Sequence, residues 1–266
     1  MTVLREPIRH KGGLPAAVGS EWVKLRSVRS TWWCLAATVI VVVAYVAMVG
    51  LSASASYANG EVVPPMTPGD VAGMGVFLLG QLALATLACM AIAGEYATGS
   101  IASTLQWVPR RARLLLAKAL LVAPVLFAGG VAATLAGSLV GIYVLDGAAA
   151  PWSWPDLLGD VAAIGFYSAV VGFVALGMGA MLPSVAGSIG CCFLVLLMLP
   201  MSLASSGVEA LQRIGGWFPG SAGMALVGGD GPTYGVTGAL AVLLAWAAGM
   251  LAGGMAVFRR RDARST

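Results

Sequence analysis

Charge is what this sequence has least of. Only 10% of its 266 residues are Asp, Glu, Lys or Arg, against 59% hydrophobic, whereas an ordinary soluble domain is about a quarter charged and about half apolar. A soluble fold of this length has too little interior to hide that much apolar surface. Histidine is scarcer still. With His10 alone, neither a histidine-based nucleophilic triad nor a histidine-containing zinc set can be assembled. The three lysines are Lys11, Lys24 and Lys118, none in a Gly-x-x-x-x-Gly-Lys setting, so the chain cannot hydrolyse ATP through a phosphate-binding loop. Cys34, Cys89, Cys191 and Cys192 fall in apolar runs or at their ends. They read as small apolar fillers and not as a disulfide framework. No removable signal peptide is expected, because a polar or mixed stretch without a small-residue cleavage pattern precedes the first apolar run.

What the sequence does have is long uninterrupted apolar stretches. A helix needs about 20 apolar residues to cross a hydrocarbon layer of about 30 Å. Six stretches reach or approach that length: 32–51, 71–93, 119–145, 161–182, 186–203 and 236–258. The fifth is the shortest and carries Pro200 near its end. None alternates apolar with polar residues as barrel strands do, and backbone groups cannot go unpaired in lipid. The expected fold is therefore all-α, a polytopic membrane protein with six transmembrane helices. The runs contain no Asp, Glu, Lys or Arg. Ion-coupled carriers place such residues inside the membrane at about 2.5–3.5 kcal/mol each, so that class is disfavoured. The most polar occupants are Tyr45, Gln81, Thr134, Ser138, Tyr143, Tyr167 and Ser168.

If the amino terminus is cytoplasmic, fourteen of the fifteen Lys and Arg residues fall on the inner side and only Arg213 lies outside. Basic inner loops set membrane topology, so both termini are expected in the cytoplasm. The net charge of +4 then belongs to those loops and calls for no nucleic-acid partner.

Two inner segments have helical patterning without a span of their own. Val18, Trp22, Leu25 and Val28 recur at helical spacing beside Lys24 and Arg26, which suits a helix lying in the membrane interface. Between the second and third spans, Thr98 or Ser100 can cap a short helix that Pro109 ends, with Ile101, Leu105 and Val108 on one face. Two turns in water are not stable alone. That stripe needs a surface, either the chain's own membrane domain or another protein. Arg110, Arg111 and Arg113 would sit among lipid phosphates, with Lys118 snorkelling toward them. Pro183, Ser184 and Val185 make a tight link between the fourth and fifth spans. On the other side, 208–214, Trp217 to Gly220 and 224–227 suggest helices dipping into the outer leaflet. Gly137 with Gly141 and Gly249 with Gly253 form small-residue faces for close helix packing.

Three local patterns carry a family likeness: Glu21-Trp22-x-Lys24-Leu25-Arg26-Ser27-x-Arg29-Ser30 before the first span; Glu95-Tyr96-x-x-Gly99-Ser100-Ile101 through Pro109-Arg110-Arg111 and Lys118 after the second; and Phe218-Pro219 before the last. Through them the chain resembles the membrane subunits of type 2 ABC exporters, especially permeases of high-GC actinobacteria. The family often has Thr where Ser100 stands.

The resemblance implies a multi-pass permease of the bacterial plasma membrane. It would have no cofactor of its own and would not be an enzyme; ATP and Mg would be bound by a partner. The working unit would hold two ATP-binding subunits and a second permease subunit, as homodimer or heterodimer. It further implies a tail and interfacial connecting helix over 1–31, a six-helix domain over 32–258 and a basic tail over 259–266. Within the domain, a coupling helix at about 98–109 would dock on the ATPase, and a segment at about 205–235 would lie in the outer leaflet.

The expected coupling residues are Glu95, Tyr96, Gly99, Ser100, Ile101, Thr104, Leu105, Val108, Arg110 and Arg111. Glu95 would pair with Arg110, Arg111 or a partner's base. The interfacial helix would use Trp22, Lys24, Leu25 and Arg26, and Tyr45, Gln81 and Tyr167 would line a substrate path between the two permeases. Apolar and aromatic lining favours an amphipathic or lipophilic cargo such as a drug or antibiotic, lipid or peptide. The rival readings are a non-transporting immunity or sensor protein and a passive channel.

Overall fold

The computed structural model describes residues 13–107, 111–182, 184–227 and 234–260. Among them the regular structure is helical apart from isolated bridge residues, such as the pair Met66 and Ala149. In chain order the helices are α1 (Leu14–Ser27), α2 (Arg29–Ala58), α3 (Pro68–Ala97), α4 (Ile101–Trp107), α5 (Arg111–Val144), α6 (Trp154–Met181), α7 (Val185–Ala204), α8 (Glu209–Gly216), α9 (Pro219–Val227) and α10 (Val236–Arg260). Six of them, α2, α3, α5, α6, α7 and α10, are long and apolar enough to cross a bilayer. The chain is an all-α, multi-pass membrane protein, as its composition requires.

Most of these helices outrun the apolar stretches that announce them, and in α3 and α6 local capping sets where they begin. α3 opens at Pro68 through a reciprocal cap: the Asp70 amide donates to Thr67 Oγ1 at 3.1 Å, and the Thr67 amide donates to Asp70 Oδ2 at 2.9 Å. Ser153 caps α6 in the same region, accepting from the Asp156 amide. α1 and α2 are separated by one extended residue, Val28, which turns the chain through an elbow.

α5 and α6 form the centre, with α2 and α3 on one side and α10 on the other. Small residues let these helices approach closely. A Cβ on Gly137 would meet Val42, Val46 and Ala72, and one on Gly141 would meet Pro68 and Val46, so that pair serves packing within the chain. Gly249 faces open space and Gly253 touches only Met181. The close crossing of α10 with α6 instead falls at Gly254 over Gly177.

Two membrane helices widen into a π turn, α3 at Val76–Gly80 and α7 at Leu194–Met198. Such widening exposes carbonyls that need other donors. In α3 the Gln81 side-chain amide donates to the Phe77 carbonyl, and Tyr167 donates its hydroxyl to Gln81 Oε1 at 2.5 Å. In α7, Pro200 lacks the N–H that would reach the Leu196 carbonyl, and Gly220 at the start of α9 lies against that oxygen. α9 is a short buried helix whose Gly223 rests on the rings of Tyr167 and Phe77. α8 beside it leaves Val208, Leu211, Ile214 and Trp217 exposed. Its Glu209 and Arg213 pair across one turn at 2.6 Å.

Candidate functional site

At the end of the bundle that carries α1, α4 and the last turn of α10, four charged side chains meet. α1 packs chiefly along α5, and the face it turns inward holds Ala17 and Glu21. These positions lie one turn apart, so they share a face. Lys24, a further turn on, reaches the same junction. Lys118 stands two turns inside α5 and is 3% exposed. Its Nζ lies 2.6 Å from Glu21 Oε2 and 2.8 Å from Glu95 Oε1. Lys24 closes the network, with Nζ 2.8 Å from Glu21 Oε1, 3.1 Å from Glu95 Oε1 and 3.0 Å from Thr104 Oγ1. Two carboxylates and two ammoniums thus join α1, α3, α4 and α5 at one point.

Buried charges persist only when paired and hydrogen-bonded. Glu95 Oε1 accepts from both lysines, while Glu95 Oε2 is buried with no hydrogen-bond partner among the described residues. Lys24 is 43% exposed and the most accessible of the four. Partial burial pulls its pKa down, but the hydrogen bond to Glu21 and the charges of Glu95 and Glu21 outweigh that and hold it above its ordinary value.

This network corrects two expectations. Among the described residues Glu95 pairs with Lys24 and Lys118, while Arg111 turns to α10. Lys118 is sealed between carboxylates instead of reaching toward lipid phosphates. Arg110 and Val108 lie outside the described residues. Arg111 donates to the carbonyls of Phe258 at 2.9 Å and Arg259 at 3.5 Å, placing a cation at the carboxyl end of α10, where the helix dipole favours it. Tyr96 stands edge-on to Phe258, with ring centroids 6.1 Å apart, so α3 and α10 are tied at the same level.

α4 follows a turn that Gly99 makes possible. Its φ of +70° is left-handed, a conformation that costs other residues about 1–2 kcal/mol. Thr98 donates to the Gly94 carbonyl at 2.9 Å and shares a hydrogen bond with Ser100 at 2.9 Å. The Ser100 carbonyl receives the Thr104 amide at 3.0 Å. Ile101 is 3% exposed and belongs to the chain's own core. An apolar residue expected to meet a partner is therefore spent holding α4 to the bundle. The outward face of α4 carries Ala102, Ser103 and Gln106, and Leu105 lies in the same helix.

On α1, Trp22 and Arg26 are exposed and Leu25 is partly buried against the core. Of the three residues expected along a substrate path, Gln81 and Tyr167 are buried and hydrogen-bonded to each other inside this chain. Tyr45 is partly buried near Gly75. The structure does not bring them to one open surface.

No spacing or motif in the sequence ties Glu21 to Lys118. The available signal was charge balance: only four acids accompany fourteen bases on the basic side, and two of them, Glu21 and Glu95, adjoin membrane helices. Among the described residues no group of His, Cys, Asp and Glu could hold a metal ion.

Residues 17–198 match the family model described as ABC-2 family transporter protein. No curated protein matches the chain. The matched region contains all four charges of the junction, the whole of α4 and the first five membrane helices through the π turn of α7.

Proposed function

Because the chain belongs to the ABC-2 family of membrane transporter proteins, we propose that it is the permease of an ATP-driven exporter whose α4 takes force from a separate ATP-binding subunit. The observation that carries this reading is Lys24, which bonds Thr104 of α4, Glu95 of α3 and Glu21 of α1 at once. A push on the exposed face of α4 is delivered through that side chain to the interfacial helix and to a membrane helix together.

In this reading the α1 end faces the cytoplasm, in keeping with its basic residues. Two ATPase copies serve two permeases, and cargo passes between the permeases. The apolar and aromatic composition of the spans is the ground for reading the cargo as amphipathic or lipophilic.

The test is copurification with a co-expressed ATP-binding subunit and measurement of its ATPase activity. Ala102→Arg, on the outward face of α4, is expected to abolish copurification while leaving the permease's thermal midpoint unchanged. Ile101→Asp is expected to lower that midpoint, since Ile101 is core. Undiminished copurification with Ala102→Arg would sink the docking role of α4, and failure of the wild-type chain to copurify would favour a protein that transports nothing. Cargo movement in vesicles without ATP would favour a passive channel.

A further inference from the structure

Between the elbow of α1 and α2 and the lower part of α3 lies a cleft of about 430 Å³. We propose that it binds one anionic phospholipid from the leaflet on the α1 side, with an acyl chain along α3 and the phosphate at the elbow.

The walls are mostly apolar. Val28, Leu87, Met90 and Ala91 line the cleft, and Val28 and Met90 are 48% and 38% exposed, so it opens sideways from the bundle. Depth selects the occupant. Leu87 lies six residues inside the end of the apolar run at Ala93, which at 1.5 Å per residue is about 9 Å into the hydrocarbon. An acyl chain reaches that depth, and an element of a water-soluble partner does not.

The chemistry of the rim differs from that of the walls. Ser27 and Ser30 supply hydroxyls at the mouth, flanked in sequence by the exposed Arg26 and Arg29. The four charges that line the cleft, Glu21, Glu95, Lys24 and Lys118, sum to zero, so selection by charge falls to Arg26 and Arg29, exposed on the surface beside the lining residues Ser27, Val28 and Ser30. Basic groups at the membrane surface select anionic headgroups. Apolar walls at hydrocarbon depth below a hydroxyl rim, with exposed guanidiniums beside it in sequence, match an anionic phospholipid in both charge and level.

Gly94 provides the test, because it lines the cleft and a Cβ built there meets nothing within 4 Å. Full-length protein in detergent is titrated with phosphatidylglycerol or phosphatidylcholine of the same chains and read by native mass spectrometry. One phosphatidylglycerol is expected to remain bound more tightly than phosphatidylcholine. Gly94→Leu fills the cleft and is expected to remove that lipid, with the thermal midpoint reporting on folding. Arg26→Gln and Arg29→Gln, on the surface, are each expected to reduce the preference for phosphatidylglycerol about fivefold.

Equal binding of the two lipids by wild type, or wild-type binding by Gly94→Leu, overturns the proposal. So does displacement of the lipid by inorganic phosphate, which would indicate an anion site alone. Crosslinking of a photoreactive residue at Met90 to another polypeptide in cells would give the cleft to a protein instead.

Discussion

Lys118 is clamped between Glu21 and Glu95, 2.6 Å from one carboxylate and 2.8 Å from the other, on helices that lie far apart in sequence. Removing one partner from a buried ion network leaves uncompensated charge, which costs about 3–5 kcal/mol. Lys118→Met is therefore expected to lower the thermal midpoint of the purified protein sharply. Adding Glu21→Gln and Glu95→Gln to that variant is expected to recover much of the loss. A single variant as stable as wild type would show that water reaches the junction.

The pH dependence of Lys24 has a definite sign. Its folded pKa lies above the ordinary value of 10.5, so its stabilising effect is complete below that pH and fades as pH rises through the raised value. The difference in thermal midpoint between wild type and Lys24→Met is expected to stay constant from neutral pH to about 10.5 and shrink above it. A difference already shrinking near neutrality would contradict the shared hydrogen bonding.

In the membrane interior, Tyr167→Phe removes the donor to Gln81 Oε1 and leaves a buried acceptor unpaired, a loss of about 1–3 kcal/mol. Gln81→Leu is expected to cost more, because it also frees the Phe77 carbonyl in the π turn. The two effects should fall short of additive in a double-mutant cycle. Strict additivity would mean that the hydrogen bond contributes nothing to stability.

At the turn before α4, Gly99→Ala forces a side chain into left-handed backbone at about 1–2 kcal/mol. Nothing crowds that position, so the cost is conformational alone. Gly99→Asn, which tolerates the conformation better, is expected to fall between alanine and wild type in thermal unfolding.

The six membrane helices were legible because a run of about 20 apolar residues has few alternatives. Their boundaries were less so: the cap of Thr67 on Asp70 starts α3 ahead of its apolar run, and polar caps carry no hydropathy signal. The helical character of α1 and α4 could be read from spacing, yet the partners of their side chains could not. Glu95 and Lys24 are 71 positions apart, and Glu21 and Lys118 are 97 apart. Proximity in sequence pointed to Arg110 and Arg111 instead. Ile101 shows the same limit, since an apolar face signals that something will cover it but not what. The bond between Gln81 and Tyr167 likewise depends on how α3 crosses α6, which periodicity does not encode.

The charge junction also has a natural seam. Glu21 and Lys24 belong to α1, while Glu95 and Lys118 belong to the membrane helices, and each of these couples is already in contact at 2.8 Å. Lifting α1 away would divide the four groups into two self-neutralising halves and strand no lone ion in lipid. An α1 that left as a unit would carry one neutral pair with it and leave another behind, so the junction itself sets no charge penalty against that separation.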